Sequence, residues 1–304
     1  MSVARAVEAL RAGGLVILPT ETVYGLGCDA TNPKAVARVY EAKGRPKLNP
    51  LIAHVLGLAE AETHGVLHPK ARALAQAFWP GPLTLIAERR PESSVAELAC
   101  AGLSTIALRA PAHPLARELL AAFGKPITAP SANRSGHISA TTAQHAAEDL
   151  GAAVDVVLDG GAAPLGLEST IVAIAPDGSG VLLRPGAIPR EAIEEIVGPL
   201  AAPHGAKISA PGMLESHYAP RARLLLNAAT PPEGATYLAF GAPAPRGGLT
   251  LSASGDLVEA AANLYAHLRA LDASGAATIA VAPIPSHGLG EAINDRLRRA
   301  AAPR

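Results

Sequence analysis

Short apolar runs alternate with helix-period stretches through the first 200 residues of this 304-residue chain, but the alternation is repeatedly broken. Runs 82–89 and 104–111 follow one another without a helical pattern between them, and so do 154–161, 169–174 and 180–186. Strictly alternating strand and helix gives an all-parallel sheet. Successive strands without a crossover helix impose antiparallel neighbours, so a twisted mixed sheet with flanking helices is predicted. Further strands are read at 15–18, 50–55 and 125–128. Helices are read at 2–12, 32–45, 68–81, 113–124 and 141–151, the last with a threonine cap. Residues 199–222 lose periodicity and are rich in Pro, Gly and Ala, which marks a linker. From 223 a second alternation begins, with strands at 223–227, 236–241 and 277–284 and helices at 255–275 and 290–302. The expected organisation is a catalytic-sized domain over 1–200, a linker over 201–222 and a small α/β domain over 223–304.

Composition removes several function classes. Lys+Arg and Asp+Glu are equal at 26 each and aromatics are 3%, which argues against a nucleic-acid coat or a base-stacking platform. Cys28 and Cys100 form no CxxC, so a zinc cluster or disulfide framework is not expected and a reducing, cytoplasmic setting is. No apolar run approaches the roughly 18 residues that span a bilayer, so no membrane partner is expected. Neither common glycine loop for nucleotides occurs: there is no GxGxxG after a strand and no GxxxxGK[ST].

Five polar clusters interrupt the apolar strands of the first domain. "PTETVYGLGCDA", 19–30, places two hydroxyls, a carboxylate and a phenol on a glycine-flexed turn straight after a buried strand. "KGRPKLNPLIAH", 43–54, brings Lys43, Arg45, Lys47, Asn49 and His54 within twelve residues. Cations on such a turn suit a polyphosphate, or form a solvated basic turn. Arg109 ends an apolar strand, where an arginine forks a small carboxylate or makes an ion pair at a sheet edge. "TAPSANRSGHIS", 128–139, offers Ser131, Asn133, Ser135 and Ser139 as an anion cradle or as a capping loop for the following helix. "LGLESTIVAI", 165–174, and "LLRPG", 182–186, add Ser169, Thr170 and Arg184 at strand ends. Together these ends predict one concave site built of cations and hydroxyls, suited to binding anions rather than to two-carboxylate hydrolysis. Cys28 reads as a small buried residue and Glu21 as the partner of a cation; His54 is equally a core histidine or a ligand-facing one.

The ordered set "PTETVYGLGCDA", "KGRPKLNPL", "WPGPLTL", "APSANRSG", "LESTIV" and "RPG" resembles the YrdC/Sua5 family of L-threonylcarbamoyladenylate synthases over about residues 4–200. "PGMLESHYAP", 211–220, resembles the linker of the two-domain Sua5 branch, and the remaining residues fit that branch's C-terminal domain. The resemblance implies a cavity-forming YrdC-like sheet plus a small Sua5 domain. It implies a nucleotidyltransferase that makes threonylcarbamoyl-AMP and pyrophosphate from L-threonine, bicarbonate and ATP, with Mg2+ accompanying the triphosphate. A transferase then carries the group to adenosine 37 of ANN-decoding tRNAs, so tRNA is an indirect partner.

By motif, the resemblance places Thr22, His54, Arg109 and Ser169 at threonine. It places Lys43, Arg45, Asn49, Thr105, Ser131, Asn133, Ser139 and Arg184 at ATP, with Lys43 and Arg45 as the catalytic cations. It folds Tyr218 over the pocket. Apolar Met213, Leu214 and Tyr218 in an aperiodic linker suggest a lid that orders with substrates, where a bare spacer would need no such side chains. Two competing readings are a carbamoyl-adenylate-forming enzyme, as in hydrogenase maturation, and an RNA-binding regulatory module with an inactive pocket.

Overall fold

The computed structural model describes residues 2–203 and 216–303. Met213 and Leu214 lie outside the described residues. The first domain runs α1 (Val3–Arg11), β1 (Val16–Leu18), β2 (Gly25–Asp29), α2 (Pro33–Lys43), β3 (Ile52–His54), α3 (Leu58–His64), β4 (Gly65–Val66), α4 (Pro69–Phe78) and β5 (Leu83–Arg89). It continues with β6 (Thr105–Arg109), α5 (Pro114–Phe123), β7 (Ile127–Thr128), α6 (Ala143–Leu150), β8 (Val156–Val157), β9 (Thr170–Ile174), β10 (Gly180–Arg184), α7 (Arg190–Val197) and β11 (Leu200–Ala201). The second domain holds β12 (Arg223–Leu225), β13 (Thr236–Ala239), β14 (Leu249–Thr250), α8 (Leu257–Ala273), β15 (Thr278–Val281) and α9 (Leu289–Ala301).

The first sheet has the order β11-β10-β9-β5-β6-β3-β7-β2-β1-β8, with β4 on β5. It is mixed: β3 runs parallel to β6 and β5 parallel to β9, while β5–β6 and β9–β10 are antiparallel. These directions put the C-terminal ends of β3, β6 and β10 and the N-terminal end of β9 on one edge of the sheet. His54 and Arg109 are register partners there, and Arg184 and Ser169 lie on the same edge. One face is covered by α2, α4 and α7 over a core that includes Tyr40, Leu74 and Ile193. The other carries α1 and α5, with Leu10 and Phe123 packed on Val16 and Leu18.

Helix starts follow the sequence signals. Asn32 caps α2 by accepting from the Lys34 and Ala35 N–H groups at 3.0 and 3.3 Å, and Thr142 caps α6. The imidazoles of His68 and His113 cap α4 and α5 just before an N1 proline. Strand β2 was not expected, since its glycines read as a turn. Gly27 faces Val16 across β1, and a Cβ there would stand 2.6 Å from the Leu18 side chain, so close packing asks for glycine inside a strand. Helices α3 and α7 and strands β11 and β14 are also additions. Each is short, and β11 exists only by pairing with β10, a contact local pattern does not encode.

The second sheet is parallel throughout, in the order β12-β15-β13-β14. Its core is shared with the first domain: Val23, Ile138 and Leu167 pack with Leu264, Tyr265, Leu268 and Ile293. Gly166 packs directly on α8, with φ +66° and the position of an added Cβ 2.4 Å from the Ala261 carbonyl oxygen. Ion pairs also cross the seam. Arg269 meets Asp149 at 2.7 Å and Arg190 meets Glu291 at 2.7 Å. Arg296 of α9, fully buried, donates from Nε to Glu168 Oε2 at 2.8 Å. Glu168 accepts further from the hydroxyls of Ser139 at 2.5 Å and Tyr265 at 2.9 Å. Burial alone would push the Glu168 carboxyl up. Arg296, Arg184 and the Ser139 hydrogen bond outweigh it and hold the pKa at about 2.

Two outcomes follow for stability. Gly166→Ala forces a side chain into left-handed backbone against α8 and is expected to cost about 1–3 kcal/mol in urea unfolding. A loss under about 0.5 kcal/mol, the scale of a neutral surface change, would contradict this packing. For Glu168, the depressed pKa means its contribution is complete above the ordinary 4.5 and disappears as pH falls toward about 2. Glu168→Gln is therefore expected to destabilise the chain by about 3–5 kcal/mol at pH 7, because buried Arg296 loses one of its two carboxylate partners and keeps only Asp295. The gap to the native chain should narrow as pH drops through that window; a gap that widens with acid would refute the assignment.

Candidate active site

Sequence-distant strand ends meet at one pocket. Thr22, Arg45, His54, Arg109, Ser131, Ser169, Arg184 and Tyr218 all line it, together with Glu168 and His217. Its charged wall therefore holds three arginines and one carboxylate, which favours anions.

The Arg109 corner is fixed from three sides. Its Nη2 donates to Glu21 Oε1 at 2.6 Å, Nη1 to the Thr22 hydroxyl at 3.0 Å and Nε to the Gly81 carbonyl at 3.3 Å. The second Glu21 oxygen accepts from the Ala112 N–H at 3.0 Å. Burial raises the Glu21 carboxyl, and the Arg109 charge overcomes it, so the group stays ionised below its usual range. The ion pair read from sequence thus exists, but on the interior strand β6 rather than at an edge, and it coexists with the cavity-facing position. An arginine has five N–H donors. Three are used here, which leaves one on each terminal nitrogen for a carboxylate. The turn that supplies Thr22 is pinned by the Thr20 hydroxyl, which meets that of Thr22 at 2.8 Å and donates to the Val23 carbonyl at 2.6 Å. Beside Arg109, His54 is both core-buried and cavity-lining. Burial first, then the Arg109 charge, lowers its pKa to about 3, so the ring is neutral.

At the other corner, Arg184 donates from Nε and Nη2 to the Ser169 carbonyl at 3.1 and 2.9 Å and from Nη2 to the Ser169 hydroxyl at 3.1 Å. Ser169 is held in turn by the Thr84 hydroxyl at 2.7 Å. Arg184 and Arg109 stand on strands three places apart, a separation of roughly 14 Å at the usual strand spacing. Arg45 follows the glycine that closes α2 and donates to the carbonyls of Asn49 at 3.2 Å and Pro50 at 2.9 Å.

Several expected residues stand behind this wall rather than in it. Lys43 is buried and its Nζ donates to the carbonyls of Ser131 and Asn133; burial, then Arg45, lowers its pKa well below the ordinary lysine value. The Asn133 amide nitrogen donates to the Arg134 and His137 carbonyls at 2.8 and 2.9 Å, bracing the same loop. Ser139 turns to Glu168, and Thr105 begins β6 at the end opposite Arg109. Asn49 is buried, and its amide oxygen and nitrogen have no partner among the described residues. The helix after 128–139 is capped by Thr142, so the loop itself does not cap it.

Glu168 and His217 line the cavity without having been singled out. The signal was present in both cases: a lone carboxylate inside "LEST", and a histidine next to Tyr218. His217 is buried and neutral, its pKa lowered to about 3 by burial and then by Arg45. Cys28 is a buried thiol beside the Thr128 hydroxyl at 3.1 Å, its pKa pushed to about 12 mainly by burial, which suits packing and not nucleophilic attack. Among the described residues, no group of three or more His, Cys, Asp or Glu could hold a metal ion. No helix among them is long and apolar enough to cross a membrane.

Comparison with known proteins agrees with this architecture. The sequence family described as "Telomere recombination", Sua5/YciO/YrdC, matches residues 8–186. The family described as "Threonylcarbamoyl-AMP synthase, C-terminal domain" matches residues 188–302. The threonylcarbamoyl-AMP synthase of Bacillus subtilis is 39% identical over 99% of this chain and 93% of its own length. That of Pyrococcus abyssi is 38% identical over 96% and 92%. The crystal structure of P. abyssi Sua5 complexed with L-threonine superposes with a TM-score of 0.90 at 36% identity, covering 98% of this chain and 94% of that one. Matched by both families along nearly its whole length, the chain belongs to the Sua5/YrdC family in its two-domain form.

Proposed function

We infer that this chain is an L-threonylcarbamoyladenylate synthase, converting L-threonine, bicarbonate and ATP to threonylcarbamoyl-AMP and pyrophosphate. The observation that carries the reading is the pair of fixed cation corners on one sheet edge, Arg109 with neutral His54 and Arg184 with Ser169. The two corners would hold two anionic substrates side by side without a covalent nucleophile. The synthase names of relatives that share nearly the whole length support it.

Arg109 offers its two remaining donors to the threonine carboxylate, while Glu21 and Thr22 hold the fork in plane. Neutral His54 adds no charge to repel the amino acid and presents a ring nitrogen to its polar groups. The neutral amine of threonine adds to carbon dioxide derived from bicarbonate, forming the N–C bond of a carbamate and releasing a proton. A carbamate oxygen then attacks the α-phosphorus in line; the new P–O bond forms as the bond to pyrophosphate breaks. Arg45 and Arg184 neutralise phosphate charge, and Lys43 acts behind them by pinning the loop of Ser131. Placing two anions together and screening their repulsion is the main catalytic demand, and rigid arginines meet it with little reorganisation. Magnesium enters as part of the nucleotide substrate. The carboxylates nearest the cavity, Glu21 and Glu168, already spend both oxygens on protein donors. The product passes to a threonylcarbamoyl transferase acting on adenosine 37 of ANN-decoding tRNA, so tRNA need not bind here. His217 and Tyr218 form part of the wall against which the nucleotide would bind.

Pyrophosphate release is expected to require threonine and bicarbonate together; ATP turnover indifferent to threonine would sink the reading. Arg109→Lys keeps the charge but loses the fork. It is expected to raise the threonine KM at least about tenfold, the scale of one charge-assisted hydrogen bond, with a much smaller effect on ATP. Equal loss for both substrates would mark Arg109 as a structural arginine.

A further inference from the structure

The second domain contributes a fully buried cation, two of whose partners, Glu168 and Tyr218, line the cavity. Arg296 sits on α9, is 0% exposed, and bonds Glu168 through Nε. Its guanidinium carbon lies 5.0 Å from the centre of the Tyr218 ring, within cation–π range. Nη1 donates to Asp295 at 2.6 Å, and Nη2 is buried with no partner among the described residues. A fully buried charge with one nitrogen unanswered is a poor choice for stability alone; an apolar side chain of similar volume would often serve as well or better. Something else is gained from it.

Tyr218 shows what that is. Its φ is +62°, left-handed backbone that a tyrosine holds only when its surroundings over-determine it. The ring is stacked on Tyr265 at 5.7 Å, with Arg296 against it as well. The Tyr265 hydroxyl donates back to Glu168. Ring and carboxylate are thus bridged twice, by Tyr265 and by Arg296, and Arg296 is the bridge that carries a charge.

We propose that Arg296 is a positioning residue for the synthase reaction: it acts through Tyr218 and Glu168, locking ring and carboxylate into the cavity wall where the nucleotide meets them. The proposal rests on the functional reading above. It makes the second domain part of the active site's support, rather than an appendage to it.

The test uses the full chain with Arg296→Met and Arg296→Lys. Without substrates, amide hydrogen exchange in the 216–222 segment should quicken about tenfold or more in Arg296→Met, while exchange in β5 and β6 stays unchanged. In the pyrophosphate assay its kcat/KM for ATP should fall at least about tenfold, with threonine KM much less affected. Arg296→Lys, which keeps the charge and loses the planar contact to the ring, should recover part of the loss and guards against a Met variant that does not fold. In a Tyr218→Ala background, Arg296→Met should cost little more, because both changes remove the same placement. Unchanged exchange and kinetics in folded variants, or losses that multiply in the double variant, would overturn the proposal. If the native chain releases no threonine-dependent pyrophosphate, the functional reading fails, and the exchange measurement still judges the role of Arg296.

Discussion

A single carboxylate, Glu168, ties the molecule together. It lies where the first sheet, the second domain and the cavity meet, and its two oxygens are shared among Ser139, Tyr265 and Arg296. A buried ionised carboxylate is costly unless every lone pair is answered. Answering it requires a hydroxyl from the first domain and a phenol and a guanidinium from the second. The relative placement of the two domains is thereby bound to the shape of the cavity wall. The apolar seam around Leu167 and Tyr265 supplies non-directional attraction, and Glu168 supplies the direction.

Much of this was legible in the sequence. Mixed strand order followed from runs with no crossover between them, and the helix starts followed from Asn32-Pro33 and Thr142. Strand-end polar clusters converged as expected, because β3, β6 and β10 finish on one edge. What stayed hidden was what depends on contacts remote in the chain. Strand β2 looked like a turn because its glycines answer the side chains of Leu18 and Ala129, not local backbone need. Arg296 carried no signal at all: in "NDRLRR" it is one arginine among three, and only the fold distinguishes the buried one from its neighbours.

Lys43 shows how residue type can point to the right place by a different route. Its position in a basic turn suggested direct phosphate contact. In the fold its ammonium is spent on two carbonyls of the loop that carries Ser131, and Arg45 and Arg184 take the cavity wall. A lysine held in this way gives shape, and the arginines give field. Spacing along the chain cannot separate these roles, because both need a cation near a glycine-flexed turn.

The cavity wall has one further property. Its cations are arginines, and its two histidines are held neutral, each with a pKa near 3. Across the range in which cells live, the wall therefore presents the same charge at every pH. The proton-sensitive steps that remain are those of the reactants: loss of a proton from the threonine amine and the balance between bicarbonate and carbon dioxide. Acidity reaches this chemistry through the solution, and the protein acts as a fixed electrostatic mould around it.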